Sequence, residues 1–198
     1  ILDVRPFIEQ GREYSYIAAS ILSEQLRLEV LQTMGLEAVQ SHLPEQEKYY
    51  PTLEQYVKFG TEFGQLSNRL RELDLEYLNS CIKHERNCLF DYLGAHTLYD
   101  RYLLHKKGLR YETLQHFWMR VAMGVALAEG NAKEATKQAA EFYDVISQML
   151  YVPSTPTLFN SGTNHSQMSS CFLTTTQDDL LDIYRQYSDN AMLSKYAG

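Results

Sequence analysis

The chain holds 198 residues, 44% of them apolar, with a formal net charge of −7 and a pI near 5.4. That is enough material for one large domain or two small ones with a real core, and the acidic balance argues against a general nucleic-acid binder, which carries a basic face. No run of about 18 apolar residues exists to span a membrane, and three cysteines without a secretory context read as cytosolic thiols rather than a disulfide framework. The chain opens on "ILDVRPF" and closes on "LSKYAG", which reads as a piece of a longer polypeptide or one half of a split protein.

In chain order, "REYSYIAASILSEQLRLEVL" places Tyr14, Ile17, Ala18, Ile21, Leu22 and Leu26 at helical spacing, with Gly35 near the end. Pro51 precedes a second helical run containing Leu53, Tyr56 and Val57. A shorter helix in "LRELDLEYLNSCI" puts Leu75, Leu78 and Ile82 on one face. "LFDYLGAHTLYDRYLLHKKGLRY" starts as helix or turn and ends as a hairpin, because "YLL" and "LRY" flank "HKKG". Lys106, Lys107 and Arg110 read there as a solvated turn. The clearest helix is "TLQHFWMRVAMGVALAEG", with Leu114, Phe117, Trp118, Val121, Ala122 and Val125 in a stripe and a stop at Gly130 and Asn131. Residues 132–150 form another, on Ala135, Ala139, Phe142, Tyr143 and Ile146.

The texture changes after residue 150. Pro153 and Pro156 block helix around Ser154 and Thr155, Gly162 permits a tight turn, and "SCFLTT" reads as a short half-buried strand. A last helix begins around Asp178, whose side chain can cap it, and runs toward Lys195.

Three groups of residues could carry chemistry. Cys171 is either a small buried hydrophobe or a reactive thiol. The loop before it offers hydroxyls from Thr155, Ser161, Thr163, Ser169 and Ser170 and a backbone amide at Gly162, a set that suits an anion such as phosphate or an ordinary polar loop. Cys81, His84 and Cys88 form C-x2-H-x3-C on a helix, yet zinc wants four ligands and no fourth is near, so packing is the simpler reading. Asp178 and Asp179 cap a helix or accept hydrogen bonds from a hydroxyl-bearing ligand.

Taken together, "PSTPTLFNSGT…SSCFL", "LFDYLGAHTLYDRYLL", "ETLQHFWMRVAMGVAL" and "LSKYAG" resemble the large (α) subunit of class I ribonucleotide reductase. The resemblance implies a mainly α fold: a helical N-terminal domain followed by the first strand and helix of a ten-stranded α/β barrel. Residues 1–45 would be the end of an ATP-cone-like segment or the start of the helical domain, 46–152 the helical domain, and 153–198 the start of the barrel. Cys171 matches a redox-active thiol whose partner lies outside this chain. Thr155, Ser170, Cys171, Ala197 and Gly198 match positions that meet the ribonucleoside diphosphate. Asp178, Asp179 and Leu180 match the start of a site for a deoxynucleoside triphosphate effector at a dimer interface. The implied activity is reduction of ribonucleoside diphosphates by thiol-dependent radical chemistry, cytoplasmic, in deoxyribonucleotide biosynthesis. Partners would be the rest of the α subunit, a second α subunit, a β subunit carrying a metal-radical cofactor, and thioredoxin or glutaredoxin as reductant. No metal or other cofactor is expected on this chain itself. The radical-forming cysteine and the partner of Cys171 have no match here, so the chain cannot complete the reaction alone. The competing reading is a non-enzymatic helical interaction or regulatory module with an inert Cys171.

Overall fold

A computed structural model describes residues 7–8, 11–37 and 49–196. The described elements, in chain order, are α1 (Arg12–Met34), α2 (Leu53–Glu62), a 3-10 turn, α3 (Leu75–Cys81), a second 3-10 stretch (His84–Leu89) and α4 (Tyr92–Thr97). A π turn (Leu98–Tyr102), a hairpin of β1 (His105–Lys106) and β2 (Leu109–Arg110), α5 (Leu114–Ala126), α6 (Ala132–Ser147), α7 (Thr155–Asn160) and α8 (Leu180–Tyr196) follow. The fold is mainly α.

Most of the helix starts are fixed by the side chain that precedes them. Thr52 and Gln55 form a reciprocal capping box at α2. Asp74, Asp91, Thr113 and Asn131 each accept a backbone N–H in the first turn of α3, α4, α5 and α6. Each such cap stabilises its helix by about 1 kcal/mol. Asn131, read in the sequence as part of a stop, begins α6.

Helix α5 is the centre of the core and packs most extensively on α6. All of its residues from Leu114 to Met123 are buried, including Gln115, His116 and Arg120. Trp118 stacks parallel to Phe90 and meets the edge of Phe117, with centroids 6.4 and 4.7 Å away. On α1 the buried stripe is Ala18, Ala19, Leu22, Leu26, Val30 and Leu31. Ile17 and Ile21 are 48% and 37% exposed, which corrects the sequence reading. The stripe that continues through Val30 and Leu31 turns those two isoleucines to its flank.

The hairpin forms where the sequence placed it, with His105 opposite Arg110 and Lys106 opposite Leu109. Lys107 and Gly108 turn the chain with φ of 50° and 88°, the paired left-handed conformation of a two-residue hairpin loop. Arg110 is not solvated. Its guanidinium lies 3.6 Å from the Tyr99 ring centroid, its Nε donates to the Tyr99 carbonyl at 2.7 Å, and Glu29 sits 3.7 Å away as its counter-ion. Lys106 lies over Phe59 and Phe63.

Two further expectations change beyond α6. Pro156 stands at the second position of α7, where its missing N–H has no intrahelical partner to lose, so it starts a helix rather than blocking one. Residues 170–176 form no strand; Phe172 is 44% and Leu173 97% exposed. A strand is completed by a neighbour's ladder, and among the described residues none lies beside this segment.

Candidate functional site

The segment carrying the candidate residues hangs from a buried ion pair. Arg120 on α5 donates from Nε to Glu112 Oε1 at 2.7 Å, and both side chains are fully buried. Glu112 also accepts the Tyr56 hydroxyl and, on Oε2, the Leu104 N–H at 2.9 Å. On its far side the same guanidinium donates to the carbonyls of Ser161 at 2.7 Å, Leu158 at 3.2 Å and Phe159 at 3.4 Å. These are the carbonyls that the end of α7 leaves without helical partners. Burial is the largest single influence on Arg120 and opposes its charge, but Glu112 together with the Tyr56 and Tyr111 hydroxyls outweighs it and holds the arginine pKa above its usual value. Burial and the same carboxylate push the Tyr56 hydroxyl pKa well up.

Backbone contact tightens the joint. A Cβ on Gly124 of α5 would stand 2.0 Å from the Gly162 nitrogen, so only glycine lets the segment approach this closely. Ser161 is buried and donates to the Val121 carbonyl at 2.7 Å. Gly162 takes φ 75°, accepts from Ser67 N–H, and leads into a loop tied to residues 64–67: Asn164 donates from its backbone to Gln65 and from its side chain to Gly64. The loop folds back on α7 through Thr157 Oγ1 to the Met168 carbonyl and Asn160 Nδ2 to the Gln167 carbonyl.

This geometry narrows the anion reading. Ser161 faces the core, and Thr163 Oγ1 donates within the loop to Asn160 or His165. Thr155 is exposed at the first position of α7, its hydroxyl 3.4 Å from that of Tyr102. Ser169, Ser170 and Cys171 are exposed. Asp179, rather than Asp178, caps α8: its side chain accepts the Asp182 N–H at 3.1 Å and its carbonyl the Ile183 N–H at 3.0 Å. Leu180 is 66% exposed, and Gln186 ties α8 to the Thr175 carbonyl. Thr155 thus stands on α7, and Ser170 and Cys171 follow two and three residues after Met168, the last point at which the folded-back loop bonds to α7, whereas Asp178, Asp179 and Leu180 stand at the next helix. Ala197 and Gly198 lie outside the described residues.

Cys81, His84 and Cys88 do not share a helix face. α3 stops at Cys81, and His84 begins the 3-10 stretch, its ring stacked 3.6 Å from that of Tyr50. Among the described residues no group of three or more His, Cys, Asp and Glu side chains could hold a metal, and all three thiols are free. Among them, too, no helix is long and apolar enough to cross a membrane.

Residues 88–166 match the model of the ribonucleotide reductase all-alpha domain. The whole chain aligns with the ribonucleoside-diphosphate reductase subunit alpha of Chlamydia pneumoniae, 43% identical over 198 residues. The subunit alpha of Helicobacter pylori strain 26695 is 42% identical over 151 residues, 75% of this chain, and the large subunit of Danio rerio 39% over 122 residues, 61% of it. The chain belongs to the ribonucleotide reductase large-subunit family. It spans 18% of the length of the Chlamydia pneumoniae relative, 19% of the Helicobacter one and 15% of the zebrafish one. The matched ribonucleotide reductase domain runs from Cys88 through α7 to Ser166, so it includes Glu112, Arg120 and Gly124 and stops short of Cys171.

Glu112 and Arg120 escaped the sequence reading, which followed only the apolar stripe of α5. The signal was present: an arginine inside the most apolar helix, with an acid just before that helix begins, demands a buried partner.

Proposed function

We propose that this segment serves in the catalytic α subunit of a ribonucleoside-diphosphate reductase, and that it works only together with the rest of that subunit. The observation that carries the reading is the exposed Cys171 in "SSCFL" within a chain that aligns over its whole length with such a subunit. Replacing the ribose 2′-hydroxyl by hydrogen releases water and consumes two electrons and two protons. Cys171 and a second cysteine elsewhere in the subunit supply both as thiols and end as a disulfide. Thioredoxin or glutaredoxin returns that disulfide to thiols by exchange. A metal-radical cofactor in the β subunit supplies the initiating radical. Thr155 and Ser170 present hydroxyls to the substrate, with the Ala197–Gly198 backbone beside them.

In this reading residues 170–175 become a barrel strand once neighbouring strands pair with them, and residues 153–198 begin that barrel after a helical domain at 46–152. Asp178, Asp179 and Leu180 contribute to the effector site at the contact between two α subunits, and the enzyme is cytoplasmic. The test is the full α subunit assembled with its β subunit and a dithiol reductant. Cys171→Ser is expected to abolish dithiol-dependent formation of deoxyribonucleoside diphosphate while the subunit still binds nucleotide. Turnover unchanged in that variant refutes the assignment.

A further inference from the structure

The geometry points to Arg120 as a positioning residue that sets where Thr155 and the Ser170–Cys171 pair stand relative to the helical core. The inference deepens the proposed function and rests on its placement of substrate at Thr155 and Ser170. Helix α7 has six residues, too few to be stable alone, and it carries Thr155 at its first position. Its far end is fixed by one guanidinium that reaches three carbonyls, those of Leu158, Phe159 and Ser161. The guanidinium is itself fixed from behind by Glu112, and Glu112 by Tyr56 on α2 and the Leu104 N–H. Four segments therefore set one side chain. The loop returns to α7 at Met168 and Gln167, directly before Ser169 and Ser170, so a shift of α7 displaces Thr155 and Ser170 together. A planar fork with five donors can hold a carboxylate on one side and carbonyls on the other; a lysine ammonium in that place keeps the charge and loses the fork. Arg120 is fully buried and touches no residue assigned to chemistry, so its effect is transmitted through α7.

The experiment uses the full α subunit with its β subunit and compares Arg120→Lys, Ser161→Ala and Thr155→Val. With Arg120→Lys folded to the wild-type extent, KM for the ribonucleoside diphosphate is expected to rise about tenfold as Thr155 and Ser170 move, and kcat to fall as Cys171 moves with them. Ser161→Ala, which removes only the bond to Val121, is expected to raise KM about threefold. A purely structural role predicts an unchanged KM: at full folding neither constant moves, and in a partly folded preparation only the apparent kcat falls, with the folded fraction. If Thr155→Val raises KM while Arg120→Lys leaves it unchanged, the positioning role is overturned and the site reading stands. If Arg120→Lys does not fold, Ser161→Ala decides: an unchanged KM overturns the inference and a raised one supports it. If Thr155→Val leaves KM unchanged, the site reading fails and the inference falls with it.

Discussion

His116 predicts an acid sensitivity that one substitution removes. Its ring lies in the centre of the core, fully buried, stacked on Tyr56 at 5.0 Å and edge-on to His84 at 6.1 Å. Burial, then the neighbouring His84 charge, lowers its pKa from 6.5 to about 3. The unfolded chain therefore takes up a proton near pH 6.5 that the folded chain accepts only near the lower value. Between the two, acid favours unfolding; above pH 6.5 both states are neutral and His116 adds no pH dependence. Linkage gives a loss of about 2 kcal/mol by pH 5 and a ceiling of about 5 kcal/mol at lower pH. Urea unfolding followed by fluorescence of Trp118, the one tryptophan in the chain, reads the core directly. His116→Gln lowers stability at pH 7 by breaking the stack, but its deficit relative to wild type should shrink by about 2 kcal/mol between pH 7 and pH 5. Parallel profiles across that interval would refute a buried neutral imidazole.

Three further outcomes follow from the same core. Glu112→Gln leaves the Arg120 guanidinium buried without its counter-charge and should cost about 3–5 kcal/mol in the urea midpoint analysis; an unchanged midpoint refutes the buried pair. Gly124→Ala drives a methyl into Gly162 and should cost about 1–3 kcal/mol, whereas Gly130→Ala, with nothing within 4 Å of its Cβ, should stay within about 0.5 kcal/mol. In the native chain, iodoacetamide should label the exposed Cys88 and Cys171 before the half-buried Cys81, as peptide mass mapping of a time course will show.

The helices were legible because local chemistry announces them. Thr52 with Gln55 at α2 and the apolar stripe of α5 lie in contiguous sequence, and so does the Lys107–Gly108 turn. What was not legible depended on partners far along the chain. Nothing near Arg110 reveals that Glu29 and Tyr99 will enclose it, and nothing near Arg120 reveals the carbonyls of α7. "SCFLTT" has the composition of a strand, but pairing is a property of two segments. At the candidate site the sequence located the loop and the thiol. It overestimated the free hydroxyls, because the side chains that make a polar loop hospitable to an anion are the same ones that fold the loop.

The short bridge between Leu66 and Thr163 has a further consequence. With Asn164 donating to Gly64 across one hundred residues, it closes a ring of chain that contains every helix from α3 to α7. Closing a flexible ring of that size costs on the order of 4 kcal/mol of chain entropy before any contact repays it. The clasp therefore forms late, after the helices inside have packed, and it is a contact of high sequence separation in an otherwise local helical fold. Local bonds from Thr157, Asn160 and Thr163 fold the loop that leads to Cys171, but only the closed ring anchors it to residues 64–67, so the thiol's placement is tied to the packing of the helices inside.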